Sequence, residues 1–206
     1  MVISINVAGQ FHYIGVQGGL NLSNITNNDF IDNTKWRNGI ITGLNYEFRF
    51  PGNLLIGADL LYIQNGFRSD LILTDEDGNI LDKSAIKDNF DYLNLPIKFG
   101  YEIGTKKIKG FGKIGINTSM LLKAQTIIPY LDDGYKLTND VSKFDLGGII
   151  EIGAGYEIND NFEIVSLVGY RHSFTTLTSP SYFESKIMKH YSFSISVGLK
   201  YKLTKK

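Results

Sequence analysis

The segment YSFSISVGLKYKL, residues 191–203, alternates from end to end. Its odd positions are Tyr191, Phe193, Ile195, Val197, Leu199, Tyr201 and Leu203. Its even positions are Ser192, Ser194, Ser196, Gly198, Lys200 and Lys202. A strand sends successive side chains to opposite faces, whereas a helix turning once in about 3.6 residues would mix the two sets. The segment is therefore a β-strand with one apolar and one polar face.

The same period recurs upstream. Leu93, Leu95, Ile97, Phe99, Tyr101 and Ile103 oppose Asn94, Pro96, Lys98, Gly100 and Glu102. Over 144–158, Phe144, Leu146, Ile150, Ile152, Ala154, Tyr156 and Ile158 oppose Asp145, Gly147, Glu151, Gly153, Gly155 and Glu157. Over 40–50, Ile40, Leu44, Tyr46, Phe48 and Phe50 oppose Gly43, Asn45, Glu47 and Arg49. Residues 54–65, 108–123 and 162–174 alternate less cleanly, and 11–21 is the weakest of the eight. Three connections are short, at 51–53, 105–107 and 159–161. Four are long, at about 22–35, 66–91, 124–143 and 175–190, and the two kinds take turns along the chain. An all-β, antiparallel, up-and-down barrel has this rhythm.

Composition narrows the class. The chain has no cysteine, which excludes thiolate chemistry and disulfides. Lys+Arg and Asp+Glu both number 21, so nothing draws the chain toward nucleic acid. Mean hydropathy is −0.07, and no apolar run is long enough for a membrane helix. A membrane β-barrel remains open, because its two faces average out.

Alternation does not say which face is outside, and a soluble lipocalin-like ligand-binding barrel also alternates. Volume favours the membrane: eight strands with five to seven large apolar residues on one face overfill a bore that barely holds ordinary side chains. The polar face is also rich in glycine (Gly43, Gly57, Gly100, Gly115, Gly147, Gly153, Gly155, Gly169, Gly198), which weakens a strand but makes room in a crowded lumen. Aromatic residues cluster toward the short turns (Phe48, Phe50, Phe99, Tyr101, Tyr156, Phe162, Tyr201) and toward the long loops (Tyr62, Phe144, Tyr170, Phe174, Tyr191, Phe193). Two such rings match interfacial girdles. The expected fold is an eight-stranded transmembrane barrel with short periplasmic turns, long extracellular loops and both termini periplasmic. Residues 11–203 form the barrel, 1–10 a signal-peptide remnant or frayed terminus, and 204–206 a tail.

On this reading the bore holds Glu47, Arg49, Asp59, Lys98, Glu102, Lys109, Lys113, Glu151, Glu157, Glu163, Arg171, Lys200 and Lys202. Charges inside a low-dielectric wall need partners, so a cross-strand ion-pair network plugging the lumen is expected. His190-x-Ser192 has the spacing of some outer-membrane lipid hydrolases, but both residues fall on the lumen face and no orienting carboxylate is evident. A lipid-modifying enzyme is thus the lesser reading. His12 and His172 read as interfacial polar residues. Acidic residues crowd the second long connection (Asp70, Asp75, Glu76, Asp77, Asp82, Asp88, Asp91, beside Arg68, Lys83 and Lys87). Its Asp75-x-Asp77-Gly78-Asn79 stretch has the wrong register for an EF-hand and reads as a hairpin above the membrane. No cofactor is expected.

The stretch FHYIGVQGGLNLS at 11–23, with YLNLPIKFGY at 92–101, resembles the PorT-like outer-membrane β-barrel family of Bacteroidetes. The resemblance runs over about residues 11–203 and implies a barrel in the outer membrane without fixing a function. Ser196, Gly198, Tyr201 and Leu203 resemble the terminal signal read by the barrel assembly machinery. Outer-membrane lipid, that machinery, and other envelope proteins meeting the long loops are the implied partners.

Overall fold

The computed structural model describes residues 11–26, 34–74, 80–105, 107–128, 135–136, 138, 141–177 and 188–203, with backbone only for 71–74, 80–83 and 135. The expected terminal segments 1–10 and 204–206, and the Asp75–Asn79 stretch, lie outside the described residues.

Eight long strands form the wall: β1 (Phe11–Thr26), β2 (Lys35–Arg49), β3 (Leu54–Thr74), β4 (Ile80–Gly104), β5 (Ile108–Ile127), β7 (Phe144–Glu157), β8 (Phe162–Ser173) and β9 (Lys189–Leu203). A two-residue strand, β6 (Tyr135–Lys136), adds to the far end of β5. Each long strand pairs antiparallel with its neighbours in the chain, and β1 pairs with β9 to close the ring. A walk through register partners starts at Ile14 and passes Tyr46, Ala58, Ile97, Ile116, Gly148, His172 and Tyr191. It returns to β1 at Asn24, a stagger of ten residues. Eight strands with that stagger tilt by about 40° and enclose a backbone cylinder about 8 Å in radius.

The short turns have local causes. Gly52 and Asn53 carry φ of 90° and 68°, which lets 51–53 reverse the chain as the Phe50 N–H donates to the Leu54 carbonyl. At 158–161 the Asn159 side chain accepts from the backbone N–H groups of Asn161 and Phe162, an Asx turn.

The wall is apolar outside and polar within. Ile14, Val16, Leu20, Leu44, Leu60, Ile97, Phe99, Ile114, Ile152 and Val197 are exposed, and Ile195 is 63% exposed. Glu47, Lys98, Lys113 and Glu151 are buried in the bore, and Lys200 is 2% exposed. This is the inverse of a soluble barrel, so the lipocalin-like alternative is overturned. A water-soluble chain would not leave such a continuous apolar belt uncovered.

Two expectations need correction. The connection at 66–91 is largely strand: β3 runs to Thr74 and β4 starts at Ile80, with pairs from Asn65↔Phe90 to Thr74↔Ile80. Backbone pairing continues into water after lipid stops selecting one apolar face, so the end of alternation does not mark the end of a strand. Strand ends also advance at Thr26, Ile127 and Lys189, which shortens the other three loops. The bore is also not purely polar. Leu55, Phe111, Val165 and Leu167 pack together in it, as do Ile41, Leu61 and Ile63. Toward the loop end Ile25, Phe67, Phe90, Tyr92, Leu121, Ala124 and Leu177 form an apolar cluster with Val141 and Met188 against it.

Candidate functional site: the charged bore

Alternation places the charges of the bore, and the stagger of the ring decides which of them meet. Arg49 on β2 is the hub at the short-turn end. Its Nε donates to Glu47 at 2.7 Å, and its two terminal nitrogens grip Glu163 of β8, each at 2.8 Å. Glu102 lies 3.2 Å away, and the guanidinium sits 4.1 Å over the Tyr13 ring. Glu47 also accepts from Lys113 at 2.6 Å and Lys200 at 2.9 Å, which links β2, β5 and β9. Deeper in, Lys98 donates to Asp59 at 2.6 Å and to Glu151 at 3.1 Å. Lys113 stands 3.6 Å from Glu151 and so joins the two groups. At the mouth Lys109 meets Glu157 at 2.7 Å.

The ion-paired groups are thus the cations Arg49, Lys98, Lys109, Lys113 and Lys200 and the carboxylates Glu47, Asp59, Glu102, Glu151, Glu157 and Glu163. Arg171 is buried further along and donates to Ser194 at 2.9 Å. Most of these groups meet more than one partner. Removing one member strands the others in a low dielectric, which costs far more than a surface pair would.

Glycine makes the crowding possible. A Cβ on Gly155 would stand 2.5 Å from Glu163 Oε1, and one on Gly100 would stand 2.7 Å from Lys113 Cγ. One on Gly15 would meet Asn45 Oδ1 at 2.6 Å. At Gly153 the Phe111 ring takes the space.

Above the charges lies a neutral polar layer that includes Gln17, Asn21, Asn45, Asn94, Asn117, Ser119, Ser194 and Ser196. A void of about 10 Å³ remains among Gln17, Asn45, Asp59, Lys98 and Lys200. Both amide atoms of Asn45 lack a partner there, and the space suits a single water. At the short-turn mouth a cavity of about 350 Å³ is lined by Tyr13, Arg49, Glu102, Lys109, Glu157 and Lys202 among others.

His190 and Ser192 are both buried on the bore side. The His190 ring lies edge-on to Phe90 at 5.1 Å and Tyr92 at 5.9 Å, and neither ring nitrogen has a hydrogen-bond partner. This is the setting of a packed aromatic residue; a general base needs an orienting acceptor and a path to substrate. Among the described residues no cluster of three His, Cys, Asp or Glu could hold a metal ion.

Of the aromatic residues expected at the two rims, Phe99, Tyr101, Tyr156 and Tyr201 are exposed, while Phe48, Phe50, Tyr62, Tyr170 and Tyr191 are half-buried. Phe48 meets Phe50 edge-on at 4.4 Å, and Trp36 meets Tyr191 edge-on at 5.0 Å. His12 and His172 stand on the outer face, where His12 shares a 2.7 Å hydrogen bond with the Tyr46 hydroxyl. In β9, Ser196 is buried, Gly198 is half-buried, and Tyr201 and Leu203 face outward. Sequence reasoning missed Tyr13 and the Phe67, Phe90 and Tyr92 cluster. A usable signal was present, since Phe90 and Tyr92 share the parity of Asn94 and Lys98.

Solved structures with the same architecture include Neisserial surface protein A, at 11% identity and a TM-score of 0.57, covering 93% of this chain and 97% of that one. Outer membrane protein OprG from Pseudomonas aeruginosa is similar at 15% identity and a TM-score of 0.50, covering 95% and 97%. The outer membrane protease OmpT from Escherichia coli matches at 10% identity and a TM-score of 0.42, covering 98% and 99%. At such identities the likeness of the first two shows the fold alone. No curated protein sequence matches the chain. The family model described as outer membrane protein beta-barrel domain matches residues 10–179. An inside-out eight-stranded ring and that match agree: the chain belongs to the outer membrane protein β-barrel domain family.

Proposed function

We propose that the protein is a non-enzymatic outer-membrane barrel with a closed bore, serving as an anchor that presents its long-loop end to other envelope proteins. The carrying observation is the filling of the lumen, by paired charges at one end and by the Ile25–Phe67–Phe90–Tyr92 cluster at the other. Eight strands leave no room for an aqueous channel around such contents. The β3–β4 hairpin, paired to Thr74↔Ile80, is the part that projects beyond the ring. In this reading the short turns and both termini are periplasmic, the two aromatic rims sit at the membrane interfaces, and His190 and Ser192 are packing residues. Ser196, Gly198, Tyr201 and Leu203 serve as the signal for the barrel assembly machinery. The motifs at 11–23 and 92–101 support a PorT-like assignment within that family.

The test is electrical. The folded protein in planar lipid bilayers should show no unitary conductance, and steady channel steps would overturn the closed bore. His190→Ala should leave the membrane lipid profile of the producing cell unchanged; an altered acyl composition would revive the lipid-modifying enzyme. Crosslinking from a cysteine placed at Asp70, in a chain otherwise free of cysteine, should capture an envelope partner. Recovery of lipid adducts alone would overturn the partner role.

A further inference from the structure

The short-turn mouth of the bore holds a cavity of about 350 Å³. Its charged lining is Arg49, Lys109 and Lys202 against Glu102, Glu157 and Asp160. The signs cancel, so the cavity favours neither a simple anion nor a simple cation. Two of the cations are already engaged. Arg49 is gripped by Glu163 and Glu47, and Lys109 meets Glu157 at 2.7 Å. Asp160 stands exposed in the 158–161 turn.

What remains is a charge separated across the opening. Arg49 lies 3.2 Å from Glu102 Oε2, but Oε1 finds no cation nearer than Lys109 at 4.0 Å. Lys202 has no carboxylate in salt-bridge range among the described residues, and its Nζ lies 3.5 Å from the centre of the Phe11 ring. β4 and β9 are four strands apart by either route around the ring of eight, so Glu102 and Lys202 stand on opposite walls. Both are fixed at the level of the turns. The Glu102 N–H donates to the Asn53 carbonyl at 2.9 Å, and the Lys202 N–H donates to the Asn161 carbonyl at 2.8 Å. Tyr13 lines the same cavity and is 3% exposed. Its hydroxyl has no hydrogen-bond partner among the described residues, a cost that an entering polar group would remove.

We propose that this mouth binds a small zwitterion of the α-amino-acid class, with its ammonium on Glu102, its carboxylate on Lys202 and a hydrogen bond to the Tyr13 hydroxyl. The Phe11 and Phe50 rings, which also line the cavity, give an apolar side chain a surface to pack on. The site lies at the end opposite the β3–β4 hairpin and is independent of the role proposed for that hairpin.

The test is a titration of the full chain, folded into lipid nanodiscs, by calorimetry. The probes are L-leucine, N-acetyl-leucine, which lacks the ammonium, and leucinamide, which lacks the carboxylate. Leucine should bind, and each capped form should bind about tenfold more weakly. Glu102→Gln should erase the preference for leucine over N-acetyl-leucine, and Lys202→Gln should erase the preference over leucinamide. Tyr13→Phe keeps the ring under Arg49 and should weaken leucine by about threefold. Lys87→Gln, at the loop end, should leave all three affinities intact. Heat-modified gel mobility identifies the folded fraction of each variant before titration. A folded parent that does not bind leucine, capped forms that bind as well as leucine, or preferences that survive both substitutions would each overturn the site.

Discussion

Arg49 and Glu163, 114 residues apart in the chain, meet through two parallel hydrogen bonds of 2.8 Å that tie β2 to β8 across the bore. A fork on a carboxylate is the strongest geometry an ion pair offers, and here both groups are buried. Glu163→Gln should lower unfolding free energy in detergent or vesicles by about 3–5 kcal/mol, because Arg49 keeps its charge and loses its main partner. Arg49→Met combined with Glu163→Leu should cost less than the two single changes summed. Strict additivity in urea titrations would contradict a coupled pair.

Glycine substitutions should divide by what lies beyond the missing Cβ. At Gly115 an added Cβ would stand 2.0 Å from the Ile97 carbonyl oxygen, whereas at Gly112 nothing lies within 4 Å. Gly115→Ala should destabilise the barrel by about 1–3 kcal/mol through forced backbone movement. Gly112→Ala should fall within about 0.5 kcal/mol of the parent. Heat-modified gel mobility ranks the two directly, and equal melting would remove crowding as the reason for the inward glycines.

His190 should prefer a neighbour's chemistry to its own. Its two ring nitrogens are buried without partners beside Phe90 and Tyr92. His190→Phe should therefore raise stability by about 1 kcal/mol, since it removes an unpaid desolvation while keeping the ring. Loss of stability would show that a water or backbone group satisfies the imidazole.

Asp88 lies on the loop-end extension of β4, in the stretch 66–91 expected to stand outside the membrane, where it accepts a hydrogen bond from Thr126. Burial outweighs that bond and holds its carboxyl above the ordinary range. A raised acid opposes folding in its ionised form, so the extension should loosen as pH rises from the ordinary carboxylate value through the raised one. Hydrogen exchange across 65–70 and 84–90 should quicken over that window, and Asp88→Asn should flatten the profile. A parent that tightens with rising pH would reverse the sign.

Lipid is what makes such a sequence readable. Where hydrocarbon bathes one face, as along β9, every second residue must be apolar and the strand announces itself. Where β3 and β4 run on into water, that pressure stops, and Ser69 to Thr74 carry no pattern by which to know them. Parity with Asn45 and Arg49 on β2 puts Glu47 on the bore side, but not against Lys113 and Lys200. Those contacts depend on the ten-residue stagger, a property of the closed ring that no local window contains. The apolar lining by Leu55, Phe111, Val165 and Leu167 was hidden for a related reason. In a bore of this radius the aliphatic stems of lysines need something to pack on, so inward apolar residues sit among charges and blur the alternation.

The seam between β1 and β9 joins the earliest strand to the latest along Thr26↔Lys189 through His12↔Leu203. Until β9 docks on β1, the assembling sheet holds two raw margins of unmet amides and carbonyls, each able to recruit a stranger. Closure is thus a single late event, and a chain clipped inside its last strand should yield a sticky open ribbon instead of a smaller cylinder.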